Sequence, residues 1–109
     1  MAENVKVLGQ VNMPASTLTP IYLCGSLNGA AISTLYIANR TAGTLHFRVS
    51  VAVAAAVDDL KQYIYYDIAI PANETFASTT GISMENGDEL RGYADGIGLS
   101  FTAFGLERT

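Results

Sequence analysis

The chain has 109 residues, a formal net charge of −4, and 15% charged against 50% hydrophobic side chains. That length fits one domain with one core, and six scattered cations (Lys6, Arg40, Arg48, Lys61, Arg91 and Arg108) lay down no basic stripe, which argues against nucleic acid as a direct ligand. A charged fraction below the roughly 25% of soluble domains leaves too little charge to cover a monomer, and predicts that other subunits cover part of the surface.

The predicted elements are strands. Residues 5–11 carry Val5, Val7 and Val11 and read as a first strand, with an edge strand or an extended arm over residues 1–16 as the alternative. Pro14 then breaks the chain, because its ring fixes the backbone and restricts the residue before it. In residues 17–24, Pro20 removes one ladder donor, which suits an edge strand or a bulge. Asn28-Gly29 marks a tight turn, since both residues tolerate positive φ. Residues 29–39 are apolar on both parities and predict a central strand packed on two sides. After a turn at 40–43 comes the clearest strand, 44–53, where Leu45, Phe47, Val49, Val51 and Val53 alternate with His46, Arg48, Ser50 and Ala52. Only a half-buried strand has a side-chain period of two.

Residues 54–60 have helix-forming composition but are too few for a stable helix; they predict a loop or single helical turn between two strands, with a crossing between sheets as one route. Residues 61–70 predict a strand with Ile64, Tyr66, Ile68 and Ile70 inward and Tyr63, Tyr65 and Asp67 outward, stopped by Pro71-Ala72-Asn73. One or two strands over 74–80 and 82–84, interrupted at Gly81, lead to a second tight turn at Asn86-Gly87 and a strand over 88–93. Asp95-Gly96 and Gly98 introduce the last strand, 99–106, in which Leu99, Phe101 and Ala103 share a face. Phe104 falls on the other parity, marking either a bulge or a second apolar surface. About eight short strands without linker or repeat define an all-β, single-domain antiparallel β-sandwich of jelly-roll or Greek-key type over residues 1–109.

Little in the chain suggests catalysis. The lone Cys24 forms no intrachain disulfide and is expected as a small buried group. His46 is the one histidine, and the adjacent pairs Asp58-Asp59 and Asp88-Glu89 lack the alternating spacing of a calcium loop. No G-x-S-x-G stands beside His46, and glycines 81, 87, 92, 96, 98 and 105 lack the strand, loop and helix context of a phosphate cradle. The expectation is a non-enzyme without metal or cofactor. Asn39-Arg40-Thr41 and Asn73-Glu74-Thr75 read as turn chemistry. No segment approaches the ~20 apolar residues of a membrane span, and the first ten residues hold no apolar run of signal-peptide length; no membrane partner is expected. The candidate interaction residues are Tyr63, Tyr65 and Tyr93 with Arg48 and Arg91, tyrosines that would anchor an interface with large contact area and a polar tip. The alternatives for the same residues are a second buried face of the sandwich or a glycan site.

A family likeness runs through nearly the whole chain. The opening Val7-Leu8-Gly9-Gln10 and Thr17-Leu18-Thr19-Pro20-Ile21-Tyr22 are followed by Asn39-Arg40, Phe47-Arg48-Val49 and Tyr63-Ile64-Tyr65-Tyr66-Asp67. Then come Ile70-Pro71-Ala72-Asn73-Glu74-Thr75-Phe76, Gly81-Ile82, Gly87-Asp88 and the ending Leu99-Ser100-Phe101-Thr102-Ala103-Phe104-Gly105. This pattern resembles small structural proteins of tailed bacteriophages. The resemblance implies a virion component, assembled in the host cytoplasm and placed on the tail, neck or baseplate, or on the capsid as a decoration. It supplies no catalytic residues. The combined expectation is a homo-oligomer, a trimer first, bound to other virion structural proteins, with a host-surface glycan as the ligand if it is an adhesion module.

Overall fold

The predicted alternations become strands in the computed structural model, which describes residues 3–79 and 81–108; Met1, Ala2, Thr80 and Thr109, included in the expected ranges, lie outside the described residues. Among the described residues there are nine strands: β1 (Glu3–Asn12), β2 (Thr19–Leu23), β3 (Ala30–Asn39), β4 (Leu45–Ala52), β5 (Tyr63–Ile70), β6 (Thr75–Ser78), β7 (Ile82–Met84), β8 (Glu89–Ala94) and β9 (Leu99–Arg108). They form two antiparallel sheets, β1-β9-β3-β6 with β7 also on β3, and β2-β8-β4-β5.

The topology is one long hairpin wound on itself. β1 pairs with β9, β2 with β8, β3 with β6 and β7, and β4 with β5, so the pairs nest from the termini inward. Winding adds the contacts β3 with β9 and β4 with β8. This is the strand order of a jelly roll.

The inner faces meet in a core in which Phe47 of the second sheet is fully buried. Its ring lies 4.9 Å from Phe76 and 6.2 Å from Phe101, both on the first sheet, and 5.9 Å from Tyr65. Cys24 is buried at 1% exposure, as its small apolar character suggested. At one end of the sandwich the sheets are tied by polar groups: the Tyr22 hydroxyl donates to Glu107 Oε2 at 2.5 Å, and Lys6 Nζ meets Glu107 Oε1 at 2.7 Å. Burial, together with that hydrogen bond, pushes the Tyr22 phenol well above its ordinary range. The hydrogen bonds from Lys6 and Tyr22 hold the Glu107 carboxyl below the ordinary carboxylate range against a smaller opposing effect of burial.

Turn chemistry fixes the loops. Gly29 sits at φ +86°, where a Cβ would meet the Met84 carbonyl oxygen at 2.7 Å, and Gly87 sits at φ +95°. Asn39 is buried; its amide donates to the carbonyls of Gly43, Ile70 and Pro71 while its oxygen accepts from Thr41, so one side chain pins two loops together. Asp88, 8% exposed, accepts from the backbone of Ala54 and Glu85 and joins another two.

One expectation is narrowed and two are corrected. Residues 53–62 join β4 to its neighbour β5 through two single 3-10 turns, Val53–Ala55 and Leu60–Gln62, as a loop or helical turn between strands was expected to do; only the alternative route, a crossing between sheets, is not taken. β3 is central within its sheet, but its outer face is not covered by a second layer: Tyr36 is 42% exposed. On β5 the expected directions hold for Tyr63, Asp67, Ile68 and Ile70 and are reversed for Ile64, Tyr65 and Tyr66. Asp67 takes a left-handed φ of +54°, and the β4–β5 register shifts twice, between Phe47 and Val49 and between Val49 and Ser50. Tyr65 therefore stands opposite the buried Val49, and Ile64 and Tyr66 face solvent, while Ile68 and Ile70 still point inward.

Candidate functional site: two outer faces

A sandwich has two outer faces, and here they differ in kind. On the second sheet, β4 projects His46 and Arg48, β8 projects Arg91 and Tyr93, and β5 contributes Tyr63, Tyr66 and Asp67. The Arg48 guanidinium lies 4.1 Å from the Tyr66 ring centroid and 4.6 Å from that of Tyr93. It also donates to Asp67, from Nε at 2.6 Å and Nη2 at 3.3 Å. The Asp67 hydrogen bond raises the already high Arg48 pKa. Tyr63 packs edge-on against Tyr66 at 5.2 Å and donates its hydroxyl to Asp58; partial burial, then that bond, push its pKa up to about 12.

Two further side-chain pairs lie on this face. His46 Nδ1 lies 2.9 Å from Asp95 Oδ2, and the His46 backbone N–H donates to Asp95 Oδ1. Partial burial pulls the Asp95 carboxyl upward, but these bonds outweigh it and leave the group below its ordinary value. Arg91 Nε donates to Glu89 at 2.6 Å. A shallow concavity of about 480 Å³ runs between His46, Arg48, Asp67, Tyr93 and Asp95. Beneath this face Ser50 Oγ is buried without a hydrogen-bond partner among the described residues.

Of the five side chains singled out in sequence, Arg48, Tyr63, Tyr93 and Arg91 thus share this face. Tyr65 does not. Its ring packs on Phe47 and Phe76 and its hydroxyl bonds Ser78, inside the sandwich rim. Tyr66, which alternation had turned inward, takes the place Tyr65 was expected to hold.

The outer face of the first sheet carries almost no charge. β9 alternates without interruption, burying Leu99, Phe101, Ala103 and Gly105 and turning Thr102, Phe104 and Leu106 outward. Phe104 is therefore a second apolar surface and not a bulge in its own strand. Both neighbours bulge beside it instead, β1 between Val7 and Gly9 and β3 between Ile32 and Thr34. Gly105 sits at that point because a Cβ there would overlap the Ala31 carbonyl oxygen. Around Phe104 lie Val7 and, diagonally, Tyr36, whose ring meets it edge-on at 5.7 Å; Val5 stands opposite Leu106. Charges appear only at the ends of this face, Glu3 with Arg108 and Arg40 with Asn12. Sequence reasoning did not single out Val5, Val7, Tyr36 and Leu106 as a surface, although apolar residues on both parities of β3 and the off-parity Phe104 are its trace.

Among the described residues no group of three or more His, Cys, Asp or Glu side chains is placed to hold a metal ion. Compared with protein-family models, curated proteins and solved structures, the chain shows no significant match.

Proposed function

We propose that this protein is a non-enzymatic structural subunit of a tailed-bacteriophage particle, assembling with copies of itself and attaching to other virion proteins at the tail, neck or baseplate. The observation that carries the reading is the uncharged outer face of the first sheet, where Val5, Val7, Tyr36, Phe104 and Leu106 are presented together. Ten-residue strands at the usual rise and spacing give a face of about 33 by 19 Å, roughly 600 Å². That approaches the ~800 Å² each partner contributes to a specific interface, so the face needs only its margins to complete one. A jelly roll, whose edges and faces stack readily into shells and rings, suits that role, and the sequence resemblance to phage structural proteins points the same way.

A glycan-binding role draws less support. On the second sheet the Arg48 guanidinium covers one face of Tyr66 and one of Tyr93, so a sugar ring stacking there would have to displace it.

Quantitative mass spectrometry of purified particles tests the proposal. The expected result is incorporation at a small multiple of three or six copies, with a solution mass that is a multiple of 11.5 kDa. Hundreds of copies would move the protein to the capsid shell. A monodisperse monomer absent from particles and without affinity for virion proteins would overturn it.

A further inference from the structure

We propose that β1 is a self-pairing edge, joining the first sheets of two copies antiparallel about a two-fold axis into one continuous sheet. This rests on the reading of the protein as an oligomeric structural subunit and names the contact. A two-sheet sandwich has four edges, each a row of unpaired backbone donors and acceptors that must be blunted or used.

Three are blunted here. β2 is five residues long and contains the exposed Pro20, which offers no N–H. β5 is interrupted by the left-handed Asp67 and two register shifts. The far edge of the first sheet is divided between β6 and β7, of four and three residues. β1 is different: ten residues, a single register shift, and among the described residues one strand partner, β9. With one open edge per copy, edge pairing can only join like to like, which makes the contact isologous.

The side chains fit that occupant. Val5 and Val7, 79% and 46% exposed, border the edge on the uncharged face, so pairing extends the Phe104 surface across the two-fold instead of ending it. Lys6 is the kind of inward-pointing charge that guards an edge, but its ammonium, on a side chain 43% exposed, is paired with Glu107 at 2.7 Å and its charge is met there.

Native mass spectrometry and sedimentation velocity of the full chain test the pairing. The wild type is expected to form assemblies with an even number of chains, and V5K and V7K to raise the dissociation constant about ten-fold or more by placing like charges across the join. I64K, on the blunted β5 edge, is expected to leave it unchanged. Hydrogen exchange on the wild type gives an answer without any variant: β1 amides slow as concentration rises through dissociation, and β2 and β5 amides do not. Odd-numbered assemblies unaffected by V5K and V7K, or concentration-independent β1 exchange, would overturn the pairing. A monomer that still enters particles defeats the edge contact and leaves the virion reading standing; a paired chain absent from particles does the reverse.

Discussion

The outer faces of the two sheets are built on the same core yet close their accounts with solvent in opposite ways. On the second sheet the long polar side chains projecting from β4 and β8 find partners within the chain: Arg48 takes Asp67 and two tyrosines, His46 takes Asp95, Arg91 takes Glu89. On the first sheet the face presents exposed Val5, Val7 and Tyr36 with the half-buried Phe104 and Leu106 of β9 between them, apolar surface that no intrachain bond can satisfy. The difference teaches where to look for partners. A face whose polar groups are already paired loses solvation and gains little on docking, whereas an apolar face gains by every square ångström removed from water.

The most damaging test removes what both faces stand on. Phe47→Ala deletes a fully buried ring that touches Tyr65, Phe76 and Phe101 from both layers, and is expected to cost about 3–5 kcal/mol in urea unfolding. For a domain of this size that is a large share of the total stability. A loss below about 1 kcal/mol would mean that the layers are not held through this ring, and the contrast between their outer faces would lose its common frame.

Arg48→Met probes the second face alone. Removing the guanidinium frees Asp67 and uncovers Tyr66 and Tyr93, at an expected cost of about 1 kcal/mol, because exposed ion pairs and cation–π contacts are each worth little. Solution mass should not change. If the oligomer dissociated in this variant while remaining folded, the second face would be the docking face and the comparison would be inverted.

Sequence carried most of the architecture and part of the surfaces. Strand-period alternation in β9 and the first half of β4, Pro20 at an edge, and the turns at Gly29 and Gly87 were legible, because each depends on local stereochemistry; the second half of β4 departs from its pattern, with Ser50 and Ala52 buried and Val53 69% exposed beyond the strand. What failed on β5 depends on a single backbone angle. Asp67 can be regular strand or left-handed bulge with the same composition, and choosing the second exchanged Tyr65 for Tyr66 on the outer face. The alanine run after β4 reads as helix-forming, yet Ala54 and Ala55 take left-handed φ of +55° and +53°, with the Ala54 N–H held by Asp88 from a distant turn. Such a partner is invisible before the fold exists. The uncharged face stayed hidden for a related reason: Tyr36 and Phe104 lie 68 positions apart, and only the β3–β9 register makes them neighbours.

The smallest effect concerns the tie between the two sheets. Tyr22→Phe keeps the buried ring and removes the hydroxyl that donates to Glu107, an expected loss of about 1 kcal/mol at neutral pH. Its pH dependence follows from the two shifts. Glu107 is held below its ordinary 4.5, so its contribution is complete above that value and fades as pH falls through the lowered native pKa. Tyr22 is raised above its ordinary 10.0, so its contribution is complete below that value and fades as pH rises toward the raised native pKa. The stability difference between wild type and variant should therefore form a plateau between these two ordinary values and shrink on both sides, read by chemical unfolding at a series of pH values. Lys6 still faces Glu107 in the variant, so part of the acid-side dependence survives there. A difference that stayed constant into acid would show that the hydroxyl acts through packing alone, and that the two sheets, unlike in their outer faces, are joined at this end without help from charge.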